Sequence, residues 1–191
     1  GLTARRQEAA ARLARAVNRL LPRLGLAGGK LEAALHPMPE PSPYGQESVL
    51  FTVRLNLGLE ARPLARSASG GELSRLMLAL KVTLAGHDAV PTLIFDEVDQ
   101  GISGEIGAQV GEALARVAEH RQVLVITHLP QIAARADRHL VVSKSPRGGV
   151  ATSDVQQIHG EDRVAEIARM LGDPEAETAR RHAEALLGIK V

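Results

Sequence analysis

Two polar pairs stand directly behind short apolar runs: Asp96-Glu97 follows Thr92-Leu-Ile-Phe95, and Thr127-His128 follows Val123-Leu-Val-Ile126. Adjacent carboxylates at a strand end suit a magnesium nucleotide, because one can hold the hydrated ion while the other takes a proton from attacking water. The plainer reading is that Asp96 or Glu97 caps local backbone; the apolar strand before the pair and the histidine behind the neighbouring run favour chemistry. Ser69-Gly70-Gly71-Glu72 has the form of a capping box, Ser at the N-cap and Glu three residues on. Its paired glycines also leave backbone N–H groups open at the positive end of a helix dipole, where a phosphate is stabilised. Gly28-Gly29-Lys30 resembles the tail of a phosphate-cradling loop, yet Leu24 stands where the first Gly is required and Leu31 where Ser or Thr is required, so it reads as a turn. The chain is therefore expected to need another segment to bind ATP. His36, His87, His120, His139, His159 and His182 show no metal-ligand spacing and read as surface or capping residues.

Those residues need a scaffold that carries them to one edge. Between Arg66 and the C-terminus strand and helix alternate: Leu73, Leu76, Met77, Leu80 and Leu84 form a helical stripe, Thr92–Phe95 an apolar run, Ile106, Val110, Leu114 and Val117 a second stripe, and Val123–Ile126 a second run. That is the βαβ pattern, which makes the two strands parallel and brings both polar pairs to the same sheet edge, with helices expected over both faces. Before Arg66 the texture is antiparallel. Lys30–Leu35 and Ser48–Leu57 read as strands, with Val49, Phe51, Val53, Leu55 and Leu57 on the better-buried face, and the four prolines of Pro37–Gly45 read as a loop. Thr3–Leu21 is Ala-, Leu- and Arg-rich helix stopped by Pro22, with Ala10, Leu13, Val17, Leu20 and Leu24 at spacings of three and four. This is either the seam of a short coiled coil or an amphipathic helix on its own domain. Near the C-terminus, His139–Ser143 and Thr152–Ile158 flank a turn at Ser145–Gly149, and a last helix is expected from Asp173 as N-cap with Pro174 in its first turn.

Composition closes off several classes. At 191 residues, 45% hydrophobic and 24% charged, the chain has the make-up of one folded domain with a sizeable core. It contains no cysteine, which removes thiol chemistry, Cys-ligated zinc and disulfides and makes a reducing cytoplasm the natural setting. No apolar stretch approaches the roughly 18 residues of a membrane span, so no membrane partner is expected. A net charge of +1 says nothing about an acidic partner, and Tyr44, Phe51 and Phe95 are too few for base stacking. The chain opens on Gly1, which suits a part of something longer.

The motifs in order resemble a known family. Ser67–Arg75 (SASGGELSR) is similar to the signature motif of ABC-type ATPases, Thr92–Glu97 to their Walker B strand, Val98–Gly104 to the D-loop, and Ile126–Gln131 to the switch-histidine segment. In these variant forms the chain resembles the RecN family, SMC-like DNA-repair ATPases of bacteria, more than SMC proteins or RecF, and it does so from Ser48 onward. The resemblance implies an α/β fold, the C-terminal lobe of an ABC/SMC-type ATPase head, with a largely parallel sheet flanked by helices and an antiparallel portion near the N-terminus. Residues 1–24 would be the base of a returning coiled-coil arm, 25–66 a β-rich part of the head, and 67–191 the ATPase lobe. ATP and Mg²⁺ are the implied cofactors: Asp96 would hold the ion through water, Glu97 would be the general base, and His128 would contact the γ-phosphate. Ser69, Gly70, Gly71 and Glu72 would reach ATP on the opposite head, and Asp99 would couple the two sites. Implied partners are the Walker A-bearing N-terminal half, a second head in an ATP-dependent homodimer, and DNA through the whole protein, at the nucleoid. Gln100 stands where relatives often carry Thr. Two alternatives stand beside this one: a non-hydrolysing dimerisation module of a DNA-tethering protein, and the head of another chromosome-maintenance ATPase.

Overall fold

The computed structural model describes residues 1–58, 60–66, 70–87, 89–147, 150–173 and 175–189; Ser69 and Pro174, both singled out above, lie outside the described residues. The chain forms two compact units, Gly1–Ile126 and Thr127–Val191.

The first unit opens with α1 (Leu2–Leu20). The α-helix ends at Leu20, just ahead of Pro22, as the sequence suggests; Pro22 itself lies at the start of a 3-10 turn, Leu21–Leu24, where its missing N–H costs nothing. That turn stops at Gly25, with φ 75°. Burial deepens toward this end, with Val17, Leu21 and Leu24 fully inside, so the C-terminal end of α1 packs on its own unit while most of its first turns are exposed. Its Asn18 side chain donates to the Leu31 carbonyl (3.0 Å) and accepts from the Leu31 N–H (2.7 Å). A side-chain amide thus occupies the outer pairing groups of an edge strand that otherwise stands open.

That strand is β1 (Lys30–Ser42), paired antiparallel with β2 (Gly45–Arg54), to which β3 (Arg62–Pro63) adds. The proline-rich stretch expected to be a loop is mostly strand. Pro37, Pro39 and Pro41 lie two apart, so their missing donors fall on one side of a strand that has a single neighbour, and the register is irregular between Pro37 and Ser42. Only Val53 and Leu55 of the alternating face are buried; Val49 and Leu57 are exposed.

The βαβ unit forms as the spacing predicts: β4 (Thr92–Phe95) and β5 (Gln122–Val125) pair in parallel, Phe95 opposite Val125, across α3 (Gly104–Ala118). Helix α2 (Gly70–Thr83) precedes them and packs on α3. Two expectations fail here. The inward stripe of α2 is Arg75, Leu76, Leu78 and Ala79, so Leu73 is exposed and an arginine is inside. The sheet is also covered on one face only, since Ile94 is 69%, Leu124 42% and Ile126 61% exposed; the unit supplies a single layer of helices to a sheet whose apolar residues face both ways.

The second unit contains α4 (Pro130–Ala133), the antiparallel pair β6 (His139–Arg147) and β7 (Val150–Ile158), α5 (Gly160–Leu171) and α6 (Glu177–Leu186). Ala133, Val164, Ile167, Ala168 and Ala183 make its core. The strands run further than expected, to Arg147 and from Val150; residues 148–149 of the expected turn lie outside the described residues. Helix α6 begins at Glu177 rather than at Asp173, whose carboxylate instead accepts from the Glu175 N–H (3.0 Å) in a turn of its own.

Candidate functional site

At the end of β4 the chain turns at once. The Gln100 N–H donates to the Glu97 carbonyl (3.0 Å), and the Ile102 N–H to the Asp99 carbonyl (3.3 Å). Asp96 and Glu97 present exposed side chains, while Val98 and Asp99 are buried. Glu97 takes φ 56°, the only positive φ outside glycine among the described residues. A side chain in the left-handed region costs about 1–2 kcal/mol, and such a state persists only where its surroundings over-determine it. The local-cap reading of Asp96 holds in part, because its Oδ1 accepts from the Glu97 N–H (2.9 Å). The Ser74 hydroxyl of α2 donates to the Asp96 carbonyl (2.7 Å), fixing the strand end to the helix.

The first turn of α2 leaves no room between helix and turn. A Cβ on Gly70 would stand 2.0 Å from Glu97 Oε2, and one on Gly71 would stand 2.8 Å from Gln100 Cβ and 2.9 Å from the Glu97 carbonyl oxygen. The glycine pair thus has a use that neither the capping box nor a phosphate site requires: it lets the Glu97 turn approach the helix. The Gly71 N–H donates to Gln100 Oε1 (3.2 Å). Beneath them Arg75, 4% exposed, donates from Nη1 to the carbonyls of Gln100 (2.7 Å) and Val98 (3.3 Å). Burial holds the Arg75 guanidinium below its ordinary pKa, opposed by the charges of Glu72 and Asp99.

Asp96, Glu97, Asp99, Gly70 and Gly71 are therefore gathered at one place in the first unit. The parallel ladder brings β5 out level with them, the Ile126 N–H donating to the Phe95 carbonyl (3.0 Å). His128 belongs to the second unit, where it is exposed at the start of the segment leading to α4; beside it, Thr127 Oγ accepts from the Leu129 N–H (3.0 Å).

No protein-family model matches the sequence. Curated relatives do: the chain is 45% identical to the DNA repair protein RecN of Streptomyces coelicolor over 97% of its own length and 35% of that protein's. It is likewise 45% identical to that of Deinococcus radiodurans (97% and 33%) and 52% to that of Mycobacterium leprae (75% and 24%). The chain belongs to the RecN family. It spans about a third of the length of the curated relatives it matches. Among solved structures it resembles the Smc head domain with a coiled coil and joint from Pyrococcus yayanosii, with a TM-score of 0.56 and 21% identity over 81% of this chain and 28% of that one. It also resembles a chain from a structural study of ATP-driven dimerization and DNA-stimulated activation of SMC ATPases, with a TM-score of 0.50 and 20% identity over 90% and 96%. The likeness is one of fold: the α/β architecture of an SMC head, as the order of motifs implies.

For this RecN-family chain the donor set decides how a metal could be held. Among the described residues no group of three or more His, Asp or Glu side chains gathers as ligands. Asp96 and Glu97 offer exposed carboxylates at a strand end, which fits a magnesium ion that keeps several waters and takes one or two carboxylates together with phosphates. Two residues of this site escape sequence reasoning. Gln100 reads only as a departure from the usual Thr, and Arg75 only as the end of a motif, although an arginine flanked by Leu76, Leu78 and Ala79 on the buried side of a helix is a visible signal.

Proposed function

We propose that this chain is the C-terminal part of an ATP-hydrolysing SMC-like head that dimerises on ATP and acts in the repair of DNA double-strand breaks. The observation that carries the reading is Glu97: a carboxylate at the end of a parallel strand, held at φ 56° with its Oε2 against Gly70. Strain of this kind collects at sites of chemistry. Residues 67–191 act as the ATPase lobe, 25–66 as the β-rich part of the head, and 1–24 as the base of the coiled-coil arm. Glu97 takes the proton from attacking water, Asp96 holds the hydrated magnesium ion, and His128 contacts the γ-phosphate. Ser69, Gly70, Gly71 and Glu72 meet the nucleotide of a second head, and Asp99 couples the two sites. Magnesium, when bound, neutralises the charge that develops on the phosphates; positioning and electrostatics contribute most of the acceleration in such transfers.

Completion by the Walker A-bearing N-terminal half is supported by the open apolar face of Ile94, Leu124 and Ile126, since a parallel sheet is normally covered on both sides. The relatives' role in DNA repair supports a cytoplasmic, nucleoid-associated setting; among the described residues no helix is long and apolar enough to cross a membrane. The test is gel filtration of the complete head with ATP and Mg²⁺. Glu97→Gln is expected to bind ATP and run as a trapped dimer, while the chain without the N-terminal half turns over no ATP. A Glu97→Gln head that binds ATP and stays monomeric contradicts the reading.

A further inference from the structure

Glu97 needs a restraint that survives solvent exposure, because a strained turn with a free carboxylate relaxes unless something fixes it. Gln100 is bonded in three ways. Its N–H donates to the Glu97 carbonyl (3.0 Å), its carbonyl accepts from Arg75 Nη1 (2.7 Å), and its side-chain Oε1 accepts from the Gly71 N–H (3.2 Å). The first two are backbone bonds available to any residue at this position; only the third requires the glutamine. The Gly71 amide lies in the first turn of α2, where N–H groups have no partner inside the helix. Gln100 therefore caps α2 from the neighbouring loop and ties the residue next to Gly70, against which Glu97 Oε2 rests, to the far end of the turn that Glu97 begins.

We propose that Gln100 is a positioning residue that holds the Glu97 carboxylate in register with the first turn of α2. The inference rests on the reading of Glu97 as the base. It is tested in the full-length protein by steady-state ATP hydrolysis. Gln100→Ala removes the acceptor, and kcat should fall about ten- to a hundredfold with KM for ATP within about twofold of the parent, up to the scale of a misplaced general base. Gln100→Glu keeps an acceptor oxygen at the same reach and should restore most of kcat. A scaffolding role alone would give neither the split between kcat and KM nor the rescue. If Gln100→Ala does not fold, Gln100→Met, which keeps the length of the side chain without its acceptor oxygen, takes its place. Parental kcat in the variant without the acceptor, or no recovery in Gln100→Glu, overturns the proposal. A Glu97→Gln control separates the two layers: if it retains parental turnover the base assignment itself fails, and if it is inactive while Gln100→Ala is unaffected only the role of Gln100 fails.

Discussion

Replacing Gly70 by alanine sets a methyl carbon 2.0 Å from Glu97 Oε2, whereas the same change at Gly71 sets one 2.8 Å from Gln100 Cβ and 2.9 Å from the Glu97 carbonyl oxygen. The two obstacles differ in what can move. A carboxylate at the end of an exposed side chain swings away at little cost, and alanine recovers up to about 1 kcal/mol of helix propensity over glycine. Gly70→Ala should therefore melt between the parent's temperature and about 4 °C above it, given about 2–4 °C per kcal/mol in a chain of this size. To clear a contact near 3.5 Å the carboxylate must shift by more than 1 Å. A misplacement of that size costs on the order of a hundredfold in rate, so kcat falls accordingly. At Gly71 the obstacles are backbone and a Cβ. Overpacking there costs about 1–3 kcal/mol, which less the gain in propensity is a loss of up to about 2 kcal/mol and lowers the melting temperature by up to about 8 °C. Circular dichroism melts of this chain and ATP turnover of the complete protein, for both variants, read the contrast. A Gly70→Ala variant that keeps parental activity, or that melts below Gly71→Ala, refutes the geometry.

Arg75→Met removes the donor to the Val98 and Gln100 carbonyls; a loss of about 1–3 kcal/mol is expected in denaturant unfolding, and a change below about 1 kcal/mol counts against a structural role. Asn18→Ala strips both partners from the Leu31 backbone and should cost about 1–3 kcal/mol, read as faster amide exchange at Leu31; protection equal to the parent's would contradict it. Burial, with help from the Arg163 charge and against that of Glu166, holds His139 below its ordinary 6.5. The unfolded chain then binds that proton first, so stability present at neutral pH is lost as pH falls below about 6.5. His139→Gln should flatten urea midpoints over that window. The Glu166 carboxylate, lowered by its bond from Arg169, acts only below its ordinary 4.5, so an unchanged slope above about pH 5 sinks the assignment to His139.

The sequence was readable where a pattern extends over many residues. The βαβ spacing follows from alternation of apolar runs with 3.6-period stripes, and the structure matches it in the bounds of β4 and to within one residue in β5, which runs Gln122–Val125 rather than Val123–Ile126. The four motifs also identify the family without an alignment. What escaped was set by single neighbours. Whether Pro37–Pro41 forms loop or strand depends on β1 having one partner, which no local propensity records. The left-handed φ of Glu97 and the close approach at Gly70 and Gly71 arise from a turn packed against a helix about 25 residues away in sequence; composition marks the glycines but not what they face. The open face of β4 and β5 is likewise invisible locally, because a fully apolar strand reads the same whether its second layer comes from this segment or from another.

The most direct test of the central claim is ATP turnover by the head assembled from this chain and the N-terminal half of the same protein, comparing Glu97 with Glu97→Gln. The account predicts hydrolysis by the parent pair and nucleotide binding without hydrolysis by the variant. If both bind ATP and neither hydrolyses it, the assembly is a nucleotide-gated clamp and the assignment of Glu97 as base is wrong.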